Sequence, residues 1–286
     1  MTTSLTVIIP CRDELPHIEA CIACAAGIAD EVIVADSGST DGTLELAKAH
    51  RGCRVIEREY VNSANFKNWA IPQATHDWIL VVDADERVTP ELAAEIQRLK
   101  ESGELERTPH DAFSIARRVF LLNRRVHFSG WQHDRVRRLF RKSVRYETRR
   151  VHAELEVDWN KTGYLKSSFE HHTFRSLKHF TAKLERYAYW SAQDLFDQGK
   201  RAGWVNLGVR PLFRFVKHYL FQLGILDGST GLIISCSLAY SVYLKYAALW
   251  ELEYQAANAS GPSASTGIGN SKTLTFTGLP AQRQAA

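Results

Sequence analysis

The chain has 286 residues, 45% of them hydrophobic and 24% charged, enough to bury a real core, which excludes disorder for most of its length. A formal net charge of +4 is mild. Five cysteines, an odd number, at Cys11, Cys21, Cys24, Cys53 and Cys236 rule out a disulfide framework and suggest a reducing compartment.

Leu5–Ile9 reads as a first buried strand ended by Pro10, with Cys11-Arg12-Asp13-Glu14 as the loop beyond its carboxyl end. The segment Leu5–Pro10 is too short for an export signal and runs directly into charge, so export is not expected. A helix is predicted over Pro16–Ile28, carrying Cys21 and Cys24 as buried thiols, since no second pair or nearby His follows at zinc-site spacing. Glu31–Ala35 is a second strand that stops on Asp36. A polar loop, Ser37–Thr43, and a helix over Leu44–His50 follow. Asp36 has two readings, a turn cap or a carboxylate that bonds a nucleotide at a strand end. Val55-Ile56 is a short third strand. Asn62–Ala74 is a loop and helix in which Asn65, Lys67 and Asn68 could reach a ligand, although Lys67 also suits a solvated helix position.

Ile79–Val82 is an unbroken branched apolar run, suited to a strand buried on both faces, and it ends on Asp83, Asp85 and Glu86. Alternation along an extended chain would point Asp83 and Asp85 the same way, at the carboxyl end where open α/β sheets bind ligands. Two such carboxylates suit a hard divalent cation bridging to a phosphate. Thr89-Pro90-Glu91 reads as a helix start. The dinucleotide glycine pattern and the Gly-Lys-Ser/Thr loop are both missing from the sequence, which disfavours a nicotinamide cofactor and a Walker-type site.

Three ordered motifs, Val7-Ile8-Ile9-Pro10 with Arg12-Asp13-Glu14, Val34–Thr43, and Leu80–Glu86, resemble the family 2 glycosyltransferases of GT-A fold. Later segments, Trp131–Asp134, Arg138–Arg141, Val151-His152 and Leu226-Asp227-Gly228 to Trp250, are similar to the lipopolysaccharide core β-glucosyltransferases of Gram-negative bacteria. The resemblance implies an α/β, Rossmann-like GT-A domain with a nucleotide-sugar site formed by Pro10, Arg12, Glu14, Asp36, Lys67, Asp83 and Arg138. It further implies that Asp36 contacts the nucleoside, Asp83 lies near the ribose and sugar, and Asp85, with Asp83, holds Mg2+ or Mn2+ on the diphosphate of a UDP-sugar. Two positions depart from that subgroup: His133 stands where Pro is usual before the acid, and Ala153 where an acid is usual after His152, with Glu154 one further on.

Transfer of a sugar from a nucleotide diphosphate requires the departing charge to be neutralised, and an inverting displacement requires a base at the acceptor hydroxyl. Asp134 is the first candidate for that base, being the only acid between Asp111 and Glu147 and set among Trp131, His133 and Arg135; an ion pair with Arg137 or Arg138 is its structural alternative. Glu154 is the reserve, and His152 reads as a hydrogen-bonded structural residue. The run from Arg117 to Arg150 is almost all Arg, which favours diphosphate, phosphorylated glycolipid or anionic headgroups. It contains no recognised nucleic-acid motif, so nucleic acid is not the expected partner.

Arg175–Gln198 is predicted as an amphipathic helix, and Arg210–Leu226 has the basic and aromatic composition of a helix lying in a membrane interface. Leu232–Trp250 approaches the ~20 apolar residues of a spanning helix but carries Lys245, so peripheral attachment to the inner face of the cytoplasmic membrane is favoured. The expected organisation is a catalytic domain over 1–165, a helical membrane-associating and acceptor region over 166–255, and a disordered tail over 256–286. The expected reaction moves a hexose, glucose from UDP-glucose, onto a lipid-linked saccharide. A polyprenyl-phosphate sugar transferase and a non-catalytic membrane scaffold of the same fold are the alternatives.

Overall fold

The computed structural model describes residues 2–148, 153–174 and 176–259; His152 and the segment from residue 260 lie outside them. The chain divides into two compact units. Among the described residues, one is formed by 2–120 with 133–173, the other by 121–132 with 174–259.

The first unit is built on a sheet. Strands β1 (Leu5–Cys11), β2 (Glu31–Asp36), β3 (Arg54–Glu57) and β4 (Trp78–Val81) are parallel, in the order β3-β2-β1-β4. The sheet continues through β8 (Arg135–Arg141), antiparallel to both β4 and β6 (Ala112–Leu121), and then β9 (Thr162–Phe174) and β5 (Glu86–Val88), which pair antiparallel. The two-residue β7 is Arg124–Arg125. Period-two alternation sorts the core: Leu5, Val7, Ile9, Leu80 and Val82 face one cluster, and Ile8, Ile33, Ile79 and Val81 the other. Helices α1 (Leu15–Ala26), α2 (Thr43–Ala49) and α4 (Pro90–Glu101) contribute to the first cluster, and α3 (Ser63–Ala70) to the second. A four-residue helix, α5, is Glu104–Arg107.

Local chemistry sets the boundaries. Asn62 caps α3 by accepting from the Asn65 N–H at 2.8 Å, and Thr89 caps α4 by accepting from the Leu92 N–H at 3.2 Å. Pro10 does not end β1 as expected. The β4 pairing stops at Ile8 opposite Val81, so Pro10 lies past that neighbour with only β2 beside it, where a missing N–H is tolerated.

The second unit is helical. Ser176 caps α6 (Leu177–Asp197), accepting from the His179 N–H at 3.0 Å. The expected single helix over Arg210–Leu226 is instead α7 (Arg210–Val216) between two wider π turns, Val205–Val209 and Lys217–Phe221. Leu223 then enters the left-handed region at φ 57°, which stops the helix. The last helix, α8, runs Gly228–Ala259, so residues 256–259 are helical rather than part of a tail. By length and composition alone it could cross a membrane. Ile234, Tyr246, Ala248 and Leu249 are its buried positions in two small apolar clusters with α6.

Candidate active site

Parallel strands bring their carboxyl ends to one edge, and Arg12, Glu14, Asp36, Asp83 and Asp85 lie at or just beyond those ends. Cys11 pairs with Asp36 in register, and the Val82 N–H donates to the Ile8 carbonyl at 3.0 Å, which carries the chain from β4 to Asp83. Beyond β1 and β2 the loops are laced together. The Thr40 N–H donates to Asp13 Oδ1 at 2.7 Å, the Asp13 N–H to Ser39 Oγ at 2.9 Å, and the Glu14 N–H to Thr43 Oγ1 at 2.9 Å. Asp36 accepts from the backbone N–H groups of Gly38 at 2.8 Å and Ser39 at 2.9 Å, so the turn-capping reading of this acid is observed. Pro10 and Arg12 are buried, and Glu14 occupies the position before α1.

The acids after β4 do not continue as a strand. The Glu86 N–H donates to the Asp83 carbonyl at 2.8 Å and the Asp83 N–H to Glu86 Oε2 at 3.1 Å, closing a turn. The expected alternation therefore does not apply, and Asp83 and Asp85 meet different partners. Asp83 faces Arg138 and the ammonium of Lys67, the latter at 3.1 Å. Asp85 faces His171 Nε2 at 3.3 Å, on β9. Glu86 is wholly buried, 3.2 Å from Arg138 and 3.4 Å from Arg117. Arg117 then grips Asp134 with two bonds of 2.9 Å, a bidentate fork. Lys67, Arg138 and Arg117 thus alternate with Asp83, Glu86 and Asp134 in one network.

Burial would raise the Asp83 carboxyl, but Arg138 and then Lys67 override it and hold it well below the usual carboxylate range. Burial would likewise lower the Arg138 guanidinium; Asp83 and Glu86 keep it well above its ordinary value. Lys67 is buried against Asp83 rather than solvated on its helix. Asn68 spends its amide on the backbone of Tyr146, donating at 2.9 Å and accepting at 2.8 Å. Asp134 pairs with Arg117, not with Arg137 or Arg138. Glu154 is exposed and bonded to Arg137 at 2.7 Å, in a groove of about 590 Å³ that Trp159 and Lys161 also line.

Among the described residues the basic run is for the most part not an open face. Arg135 donates to the Ser114 and Leu165 carbonyls, Arg137 lies over the Trp159 ring, Arg141 over Trp78, and Arg145 donates to the Lys142 and Val144 carbonyls. Sequence reasoning missed Arg117 and His171, which come from β6 and β9, strands with no motif of their own. Glu86 was visible as the third acid of its motif but had no assigned partner.

The profile of Glycosyl transferase family 2 matches residues 6–172, more than half of the chain. This protein belongs to that family. The transferase is 27% identical to a glycosyltransferase of Rickettsia bellii over 264 residues, covering 89% of each chain. It is 25% identical to the lipopolysaccharide core biosynthesis glycosyltransferase LpsC of Rhizobium meliloti, covering 85% of this chain and 93% of that one. Among solved structures, TarS of S. aureus in complex with UDP matches 90% of this chain and 92% of its own at 15% identity, with a TM-score of 0.44. The GT-A fold expected from the motifs is the fold of this transferase.

The donor set bears on a divalent ion. Among the described residues no three His, Cys, Asp or Glu side chains gather at metal-ligand spacing. A hard ion held chiefly by a substrate diphosphate and water needs one or two protein ligands, and Asp85 with His171 fits that requirement. Asp83 fits it less well, because its carboxylate is neutralised by two cations.

Proposed function

We propose that this transferase moves a hexose, glucose from UDP-glucose, onto a lipid-linked saccharide such as the lipopolysaccharide inner core, by a metal-dependent inverting displacement. The observation that carries the reading is the network in which Glu86 and Arg117 tie the acidic turn after β4 to Asp134. In it the donor side and the acceptor side share one rigid set of charges, as a single displacement requires. Asp36, Arg12, Pro10 and Glu14 surround the nucleoside end. Lys67 and Arg138 stand behind Asp83 and balance its charge next to the diphosphate. Mg2+ or Mn2+ on Asp85 and His171 would supply Lewis-acid neutralisation of the leaving UDP. Asp134 takes the acceptor proton: Arg117 fixes its orientation through two of about four lone-pair sites, leaving others for the hydroxyl. Glu154, on its separate ion pair, is the weaker candidate for that role.

The lipid side of the reading is supported by the helical unit. Trp204, Leu212, Phe213, Phe221 and Leu226 are each at least 60% exposed. Between Asp197 and Asp227 there is no acid, while Lys200, Arg201, Arg210, Arg214 and Lys217 are basic. An apolar stripe rimmed by unopposed cations suits an anionic bilayer interface, with the helix in the plane and the protein peripheral to the inner face.

Incubating the purified chain with Mn2+, truncated lipopolysaccharide and a panel of nucleotide sugars, then weighing the lipid products by mass spectrometry, tests the reaction. UDP-glucose should add one hexose. Full turnover by Asp85→Ala would refute the metal assignment. Sedimentation with phosphatidylglycerol vesicles tests the membrane partner: replacing Phe213 and Phe221 by serine should cut binding about tenfold or more, and unchanged sedimentation would refute docking by this stripe.

A further inference from the structure

The Leu226-Asp227-Gly228 motif carries the subgroup resemblance but has no part in the donor site. Its carboxylate is spent on one target, the tip of the hairpin that follows β6. Asp227 Oδ1 accepts from the His127 N–H at 3.0 Å. Its Oδ2 accepts from the Phe128 N–H at 3.0 Å and from Ser129 Oγ at 2.9 Å. The same tip is held from three further directions. The Ser129 N–H donates to the Gln222 carbonyl at 2.9 Å, buried His218 places Nδ1 2.8 Å from the Ser129 carbonyl, and the Trp131 ring packs on Phe174 and Phe180.

The seat is also shaped for close approach. Ser129 lies in the left-handed region at φ 60° and Gly130 at φ 86°, and a Cβ on Gly130 would meet Gln222 Oε1 at 2.3 Å. A serine held in that region persists where its surroundings over-determine it. Five and six residues after Phe128, which carries the last N–H taken by Asp227, and with no regular element between, come His133 and Asp134. From Asp134 onward it is fixed again, because the Arg117 N–H donates to the Asp134 carbonyl at 2.9 Å and β8 begins at Arg135.

We propose that Asp227 is a positioning residue of the transferase: by clamping the 127–129 tip it anchors the near end of the short segment that presents Asp134 to the acceptor. The inference rests on Asp134 being the acceptor-side base. Residues 217–227, which hold the tip, also expose Leu220, Phe221, Leu223, Ile225 and Leu226. The clamp therefore belongs to the stretch proposed to lie on lipid.

The test uses the full chain and two readouts. In Asp227→Asn one acceptor oxygen and the charge are lost, and the amides of His127 and Phe128 should exchange hydrogen for deuterium at least about tenfold faster, while those of β1 and β4 keep their protection. In transfer from UDP-glucose to truncated lipopolysaccharide, kcat should fall about tenfold or more with the KM for UDP-glucose within about twofold, and Asp227→Glu should recover part of the loss. Ser129→Ala, which removes one of the three bonds to the carboxylate, should show the same pattern more weakly if Asp227→Asn does not fold. Unchanged exchange at the tip overturns the clamp; unchanged kcat, or kcat and donor KM worsening together, overturns the positioning role. A wild-type chain inert toward every nucleotide sugar would instead sink the donor reading, and with it Asp134 as a base, whatever the exchange at 127–129.

Discussion

Removing Arg138 is the sharpest perturbation of the charge network. Arg138→Met keeps most of the length of the side chain but withdraws the cation that Asp83 and the wholly buried Glu86 share. Glu86 is left with Arg117 at 3.4 Å and Asp83 with Lys67 at 3.1 Å. Taking away one partner of a buried ion pair costs roughly 3–5 kcal/mol, and at about 2–4 °C per kcal/mol for a unit of this size the melting temperature should fall by roughly 6–20 °C near pH 7. The sign with pH follows from linkage. Asp83 is depressed in the folded state, so its stabilisation is complete above the unfolded carboxylate value of about 3.9 and is lost as pH falls toward the folded one. In the variant that depression is smaller, so the gap between wild type and variant should be widest at neutral pH and should narrow below about pH 4. Thermal unfolding followed by circular dichroism across that range reads both effects. A loss under about 2 °C at neutral pH, or a gap that widens on acidification, would refute the assignment of Arg138 as the central counter-charge.

Other consequences are open to simpler assays. Asp134→Asn should lower kcat for transfer about a hundred- to ten-thousandfold while UDP binding, measured by calorimetry, is retained; a loss of UDP affinity instead would place the residue on the donor side. Burial would raise Glu31, but bonds from the Thr75 N–H, Arg54, Thr6 and the Thr75 hydroxyl bring it down to about 2. Its stabilisation is therefore complete above about pH 4.5 and fades toward pH 2, and Glu31→Gln should melt lower than wild type at neutral pH, with the difference closing in acid. In Gly231→Ala the added Cβ would lie 1.8 Å from the Gly224 carbonyl oxygen, an overlap of backbone that should cost about 1–3 kcal/mol in a denaturant titration.

Much of the first unit was legible from local pattern. Short branched runs bounded by polar loops located β1, β2 and β4, because a strand buried on both faces leaves a continuous apolar signal. Asp36, Asp83 and Asp85 were found at strand ends for the same reason. The antiparallel half was not legible: β6 and β8 are half-polar with several Arg, β9 is half-polar with paired His, and their inward polar groups match acids far away in sequence. Arg117 meets Glu86 across 31 positions and Arg138 meets Asp83 across 55, and no periodicity encodes such pairs.

From residues alone came the class of fold, the family, the acidic motif after the fourth strand and the basic, aromatic character of Arg210–Leu226. Tertiary structure decided which charges are spent on each other. It turned the basic run from an apparent anion-facing patch into ion pairs, carbonyl caps and ring contacts, divided Asp83 from Asp85, and gave Asp227 to a hairpin about 100 residues earlier. The physical reason is range. Hydrophobic period is set by neighbours along the chain, whereas the partner of a buried charge is set by which strands the sheet brings together and by the high cost of leaving that charge unpaired.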